Sequence, residues 1–303
     1  DEYGILSIPY GNFTGRRFPP TGWRPAGPQP RYLTNYIGLR NRFSILLENY
    51  AHADYKTRVQ GNYHFLLAVL DYCMDHGDEM AGLAAAADKN TVDIGLGKNP
   101  DASFATSYDL EKLDRDFTII ANIIEEYKDE EGRTRHKVTD KTKEFTIPLY
   151  HDWVKKDSIE LPLGYLVPLH DPDVTRKLVS HGLLVEKLQE PLTCEAEFFQ
   201  LSDLKTGGLY QGHYLHSVRG EDALPGEYRT AEHTFPKGTL WVPLAQPLGR
   251  LAASLLEPQS DDGLVVWNFF DRYLSRQWRR GYPPIPVYRL HTMVPMVTEK
   301  IAQ

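Results

Sequence analysis

No hydrophobic period develops across residues 1–30. Gly11, Gly15, Gly22 and Gly27 are interleaved with Pro9, Pro19, Pro20, Pro25 and Pro28, the composition of a long loop rather than a regular element. The aromatics Tyr3, Tyr10, Phe13, Phe18 and Trp23 within it need a body to pack on, in this chain or outside it. The first apolar run of strand length is Phe43 to Leu47, which ends on one acid, Glu48. Asp54 stands where a helix N-cap belongs. Val59, Tyr63, Leu66, Leu70 and Cys73 then recur at spacings of four and three, which predicts a helix over 55–75. His76-Gly77 reads as its end, Asp78 to Asp88 as a second, alanine-rich helix, and Lys89 to Pro100 as a linker.

From Ala102 onward the pattern turns to strands. Phe117 to Tyr127 and Phe145 to Tyr150 predict a pair, with the turn at Glu131-Gly132 and a solvated, charged tip over Glu125 to Glu144. Leu163 to Leu169 predicts a buried strand, Asp171-Pro172 a capped helix start, Gly182 its stop and Leu183 to Leu188 the next strand, together a βαβ unit. Leu192, Cys194, Ala196 and Phe198 alternate with polar residues, so one face of that strand is buried. Further strands are expected near Gln211–Arg219, Tyr228–Phe235 and Thr239–Leu244, and a helix over 247–256.

Composition narrows the class. The 303 residues are enough for two domains. A net charge of -7 argues against a general nucleic-acid binder. No apolar stretch approaches the ~20 residues that cross a bilayer. The start, DEYGILSIPYGNF, lacks the basic and apolar regions of a signal peptide, as expected of a cytosolic protein, a processed one or a chain that does not begin at its natural N-terminus. Cys73 and Cys194 read as free thiols, and neither belongs to a CxxC zinc motif.

Candidate chemistry is sparse. His76 and Glu79 have HxxE spacing but straddle a predicted helix break, and His213 and His216 fall on opposite faces of a predicted strand, so no metal ligand is assigned. G-x-S-x-G, G-x-G-x-x-G and Walker A sequences are absent. The tail residues Arg272, Tyr273, Arg276, Trp278, Arg279, Arg280 and Tyr282 suit an anion or glycan, or simply cover neighbouring surface. Glu48 has two readings. An apolar strand that delivers a lone acid at its end holds a catalytic base rigidly, and the same pattern is that of a surface acid beyond a core strand.

The stretch PRYLTNYIGLRNRFSILLENY, residues 30–50, resembles the end of the catalytic domain in large bacterial zinc carboxypeptidases of the carboxypeptidase A superfamily. A second stretch, Gly238 to Asp271, resembles the C-terminal domain of the same proteins. The resemblance implies hydrolysis of peptide bonds near the C-terminus of peptides. Glu48 is then the general base for zinc-bound water, with its apolar approach raising its pKa towards that of a useful base. Tyr36, with Tyr32 as a second candidate, is implied to bind substrate, and Arg40 and Arg42 either to hold a substrate carboxylate or to brace the strand. The zinc ligands of that family, an H-x-x-E pair and a later histidine, precede this strand and are not in this sequence. This chain alone is therefore expected to bind no catalytic zinc and to be inactive, with an upstream zinc-binding half as partner. A periplasmic or extracellular location follows from the same resemblance. The competing expectations are a non-catalytic binding or assembly subunit that retains the scaffold, and a glycan-binding module.

The expected fold is an α/β remnant of a carboxypeptidase-like domain over 1–90, with Phe43–Glu48 as a sheet strand and 55–75 as its covering helix. An α+β domain rich in antiparallel strands follows over 100–303.

Overall fold

The computed structural model describes residues 5, 7–15, 20–99, 101–217, 224–276, 278 and 281–301. It is mixed α/β, with mostly antiparallel sheets and few helices. The first elements are β1 Asn12–Phe13, β2 Trp23–Arg24, α1 Leu33–Leu39 and α2 Tyr55–Gly95. Then come β3 Ser103–Ala105, β4 Tyr108–Lys128, β5 Thr134–Lys155, β6 Ser158–Glu160, β7 Gly164–Val167, α3 Pro172–Ser180, β8 Glu186–Leu188 and β9 Leu192–Leu201. The last are β10 Thr206–Tyr210, β11 His213–His216, β12 Gly226–Phe235, β13 Leu240–Pro243, α4 Gly249–Leu256, β14 Pro284–Leu290 and β15 Thr298–Lys300. Tyr3, Phe18, Arg219, Arg279 and Arg280, singled out above, lie outside the described residues.

Two compact units interleave along the chain: residues 1–28, 48–64 and 108–155, and residues 29–47, 65–107 and 156–303. The first is built on the hairpin β4–β5, paired from Tyr108↔Lys155 to Lys128↔Thr134. Its tip turns at Gly132, whose φ of 75° suits a residue without a Cβ, and the Asp129 carboxylate accepts the Arg133 N–H at 2.8 Å. The glycine- and proline-rich start of the chain lies along β5, where β2 pairs in parallel at Trp23↔Leu149. Trp23 donates to the Pro9 carbonyl at 3.0 Å, and Trp153 to that of Ala26 at 3.1 Å. The backbone pairing at Trp23 and the Trp153 side chain thus hold that loop to a strand of this chain.

The second unit is a seven-stranded sheet, ordered β12-β9-β14-β7-β13-β8-β15, in which every neighbouring pair is antiparallel. β7 and β8 both pair with β13, so β7–α3–β8 is a βαβ unit split by one strand. Side chains alternate between two apolar clusters. Tyr165, Val167, Leu240, Val242, Ile285 and Val287 join the larger one with α3 and α4, and Leu166, Trp241 and Leu290 join the smaller. Asp171 caps α3 by accepting the Asp173 N–H at 2.9 Å, with Pro172 at the first turn.

Two expectations need correction. The helix does not stop at His76-Gly77, and Lys89 to Gly95 is not a linker: α2 runs unbroken for 41 residues. Gly77 is not among the glycines with positive φ, so it carries no left-handed C-cap geometry, and the alanines after it favour helix. The helix ends where it is buried. A Cβ on Gly95 would lie 2.0 Å from the Ala245 backbone nitrogen, so the missing side chain is what lets α2 reach the β13–α4 connection. Gly95→Ala is therefore expected to cost at least about 1–3 kcal/mol through overpacking. Gly82→Ala, in the open middle of the same helix, is expected to stabilise by about 0.5–1 kcal/mol. Urea unfolding of the two variants checks the opposite signs.

The second correction concerns Phe43–Glu48, which forms no strand. A strand is held by ladder bonds to a neighbour, and among the described residues none pairs with this run. The run has no regular structure and is exposed: Phe43 is 57% accessible, Ile45 63% and Leu46 55%.

Candidate functional site

The arginine-rich stretch before that run is held down by this chain's own groups. α1 is short and has no side-chain cap, so its position depends on tertiary contacts. Arg31 forks onto both oxygens of Asp262, with Nε to Oδ1 at 2.8 Å, and its guanidinium lies over the rings of Tyr210 and Trp267. At the other end, Arg40 donates to the Tyr36 hydroxyl at 3.2 Å and to the His181 carbonyl at 2.8 Å. Burial, helped by Lys177 and Arg40, lowers the His181 pKa, which keeps the ring neutral. Its Nδ1 is hydrogen-bonded to the Tyr36 hydroxyl at 2.8 Å.

The next two residues form a second clamp. Asn41 adopts φ 57°, a left-handed conformation that asparagine tolerates. Its amide donates to Asp88 at 3.1 Å, Thr91 at 3.2 Å and the Pro247 carbonyl at 3.0 Å. Arg42 binds Asp88 bidentately, both contacts at 2.9 Å, and that pair holds the Asp88 carboxyl below its ordinary range. Tyr36 and Arg40 thus gather at His181, and Arg42 at Asp88. Glu48 takes part in neither cluster and is exposed. The guanidinium nitrogens of Arg40 and Arg42 are engaged by groups of this chain.

Two polar centres of the second unit had no signal in the sequence. The first lies on the face of the sheet beneath α4. Register places Arg289 of β14 beside Tyr165 of β7 and Glu197 of β9. Glu257, the residue that closes α4, meets them from above. It is fully buried and takes the Arg289 guanidinium on both oxygens, the Tyr165 hydroxyl at 2.6 Å and that of Tyr228 at 3.3 Å. Burial and the Glu257 charge push both phenols up, so they stay neutral donors. Glu197 accepts from His291 at 3.1 Å and Arg289 at 2.8 Å, and these bonds bring its pKa down to about 2.

A pH dependence follows. The folded Glu197 pKa lies below the unfolded value, so its stabilisation is complete above about pH 4.5 and is lost as pH falls from there towards 2. Glu197→Gln is expected to flatten the fall in urea midpoint between pH 5 and pH 3, by on the order of 1–2 kcal/mol after screening of its solvent edge.

The second centre joins β11 to the segment before β14. The Asn268 amide donates to the Tyr214 carbonyl at 2.9 Å and to Asp271 at 3.1 Å. Its carbonyl oxygen then accepts from Nδ1 of His213 at 3.2 Å. Buried His216 donates through Nε2 to Asp271 at 2.6 Å. Asn268 thus engages Nδ1 of His213, and Asp271 engages Nε2 of His216.

Among the described residues, no group of three or more His, Cys, Asp or Glu is arranged to hold a metal ion, so these residues do not fit the zinc that the resemblance implies. Cys73 and Cys194 are free. No described helix is long and apolar enough to cross a membrane. No family model, curated protein or solved structure matches the chain.

Proposed function

We propose that this chain is the C-terminal portion of a zinc carboxypeptidase of the carboxypeptidase A superfamily, acting near the C-terminus of peptides in the periplasm or outside the cell. Glu48 is its general base, taking the proton of the attacking water and returning it to the leaving amine. The reading rests on the resemblance of residues 30–50 and 238–271. One structural observation supports it: Phe43 to Leu47 is a largely exposed apolar run without ladder partners among the described residues, as expected of a segment whose sheet is supplied by other residues, with Glu48 directly after it. Val59, Tyr63, Leu66 and Leu70 of α2 are likewise exposed, as expected of a helix whose sheet is supplied by other residues. The zinc ligands lie outside the described residues.

A second reading, a binding or assembly portion that keeps the scaffold, is favoured by the inward engagement of Tyr36, Arg40 and Arg42. The complete gene product separates the two. The first reading expects about one zinc per chain and release of the C-terminal residue from a peptide with a free, but not an amidated, C-terminus. Absence of both zinc and release leaves the second.

A further inference from the structure

Beside α3 lies an open cleft of about 410 Å³, lined by charged residues of α3, by His213, and by Trp267, Asn268, Phe269 and Arg272. Its size is that of a small-molecule site. The charges are unequal in what they offer a ligand. Arg176 is paired with Asp173 at 3.1 Å, and Arg272 with Asp171 at 3.1 Å and Asp173 at 3.3 Å. Lys177 has no carboxylate partner among the described residues; its ammonium stands 5.5 Å from the centre of the Phe269 ring. It is the lining cation left to meet an incoming anion.

The opposite wall fixes a hydrogen-bond acceptor. Because the Asn268 amide is spent on Tyr214 and Asp271, its oxygen must face His213, which sets the Nδ1–H tautomer. Nε2 is then the ring nitrogen left to accept a hydrogen bond. Trp267 and Phe269 line the same cleft, Phe269 against Lys177 and Trp267 against His213. The Trp267 ring is held against His213 edge to face, with 5.4 Å between centroids, and its N–H is taken by Asp262 at 3.2 Å. The indole is therefore fixed in orientation with no free donor of its own, and with the Arg31 guanidinium over its ring it has one face left for a ligand.

We propose that this cleft binds a small carboxylate with a ring-shaped body and a hydroxyl donor. The carboxylate meets Lys177, the ring lies on Trp267 and Phe269, and the hydroxyl donates to Nε2 of His213. Hydroxyaryl acids and sugar acids both have this chemistry. The site involves neither Glu48 nor residues 30–50, so it stands or falls apart from the peptidase reading.

The test is titration calorimetry of the intact chain with 4-hydroxyphenylacetate and glucuronate, each against a neutral twin, 4-hydroxyphenylacetamide and glucose. At least one acid is expected to bind about tenfold or more tightly than its twin, the scale of one charge-assisted contact. Lys177→Met should remove that preference with the thermal midpoint unchanged. His213→Phe should weaken the acid, and Lys187→Met, in a separate cleft, should not. The acid that binds identifies the ligand as aryl or saccharide. Equal binding of acids and twins, no heat from either acid at about 10 mM, or full binding by Lys177→Met overturns the proposal.

Discussion

Replacing Glu257 with alanine is expected to cost about 3–5 kcal/mol of folding stability, and replacing Arg289 with methionine a similar amount. Both groups are out of water: Glu257 is 0% and Arg289 5% accessible. Burial disfavours the guanidinium charge, and the attraction of Glu257 more than offsets it, so the Arg289 pKa is raised. Every donor of the cluster has a taker. Nε of Arg289 reaches Glu257 at 3.0 Å, Nη1 reaches Glu197 at 2.8 Å, and the plane lies 3.7 Å over the Tyr228 ring. Arg289→Met leaves Glu257 buried with no cation, and Glu257→Ala leaves the buried Arg289 with Glu197 as its one carboxylate partner. The combined Glu257→Met and Arg289→Met change removes both charges and is expected to cost clearly less than the sum of the two single changes. Tyr165→Phe removes one donor and should cost about 1–3 kcal/mol. Chemical denaturation across the cycle measures this, and simple additivity would show that the pair carries no coupling.

Nothing in local sequence announced that cluster. Glu257 stands before Pro258 and looks like the end of a helix, and Arg289 interrupts an apolar strand like any edge residue. They meet only because β14 inserts between β9 and β7, a pairing set by the whole sheet. Signals carried by neighbouring residues could be read. Asp54 accepts the Thr57 N–H at 3.0 Å as a cap should, Asp171-Pro172 starts α3, and the hairpin turns beside Glu131-Gly132. Where a local signal competed with context, context won. Gly77 lies inside α2, while Gly95 ends the buried part of that helix because it touches Ala245, 150 residues on in sequence. The apolar run 43–47 reads as a strand by composition, but composition supplies no neighbour to pair with.

That unpaired run makes Glu48→Gln the most informative change for function. On the proposed peptidase reading, this change in the complete gene product is expected to lower kcat by about 10²–10⁴-fold with KM little changed. Glutamine keeps the length and planarity of the side chain and its hydrogen-bonding reach, but it cannot carry a proton between water and amine. The loss should therefore fall on the chemical step. Glu48 is exposed and joins neither of the clamps that hold residues 31–42, so the denaturation midpoint of the chain should not move. Arg42→Ala should do the reverse: it frees Asp88 and loosens the stretch ahead of the run, with the effect read first in stability. An unaltered kcat in Glu48→Gln would remove the general-base assignment. The brace formed by Tyr36, Arg40 and Arg42 would then stand as the purpose of this stretch, and the chain as a scaffold rather than part of a catalyst.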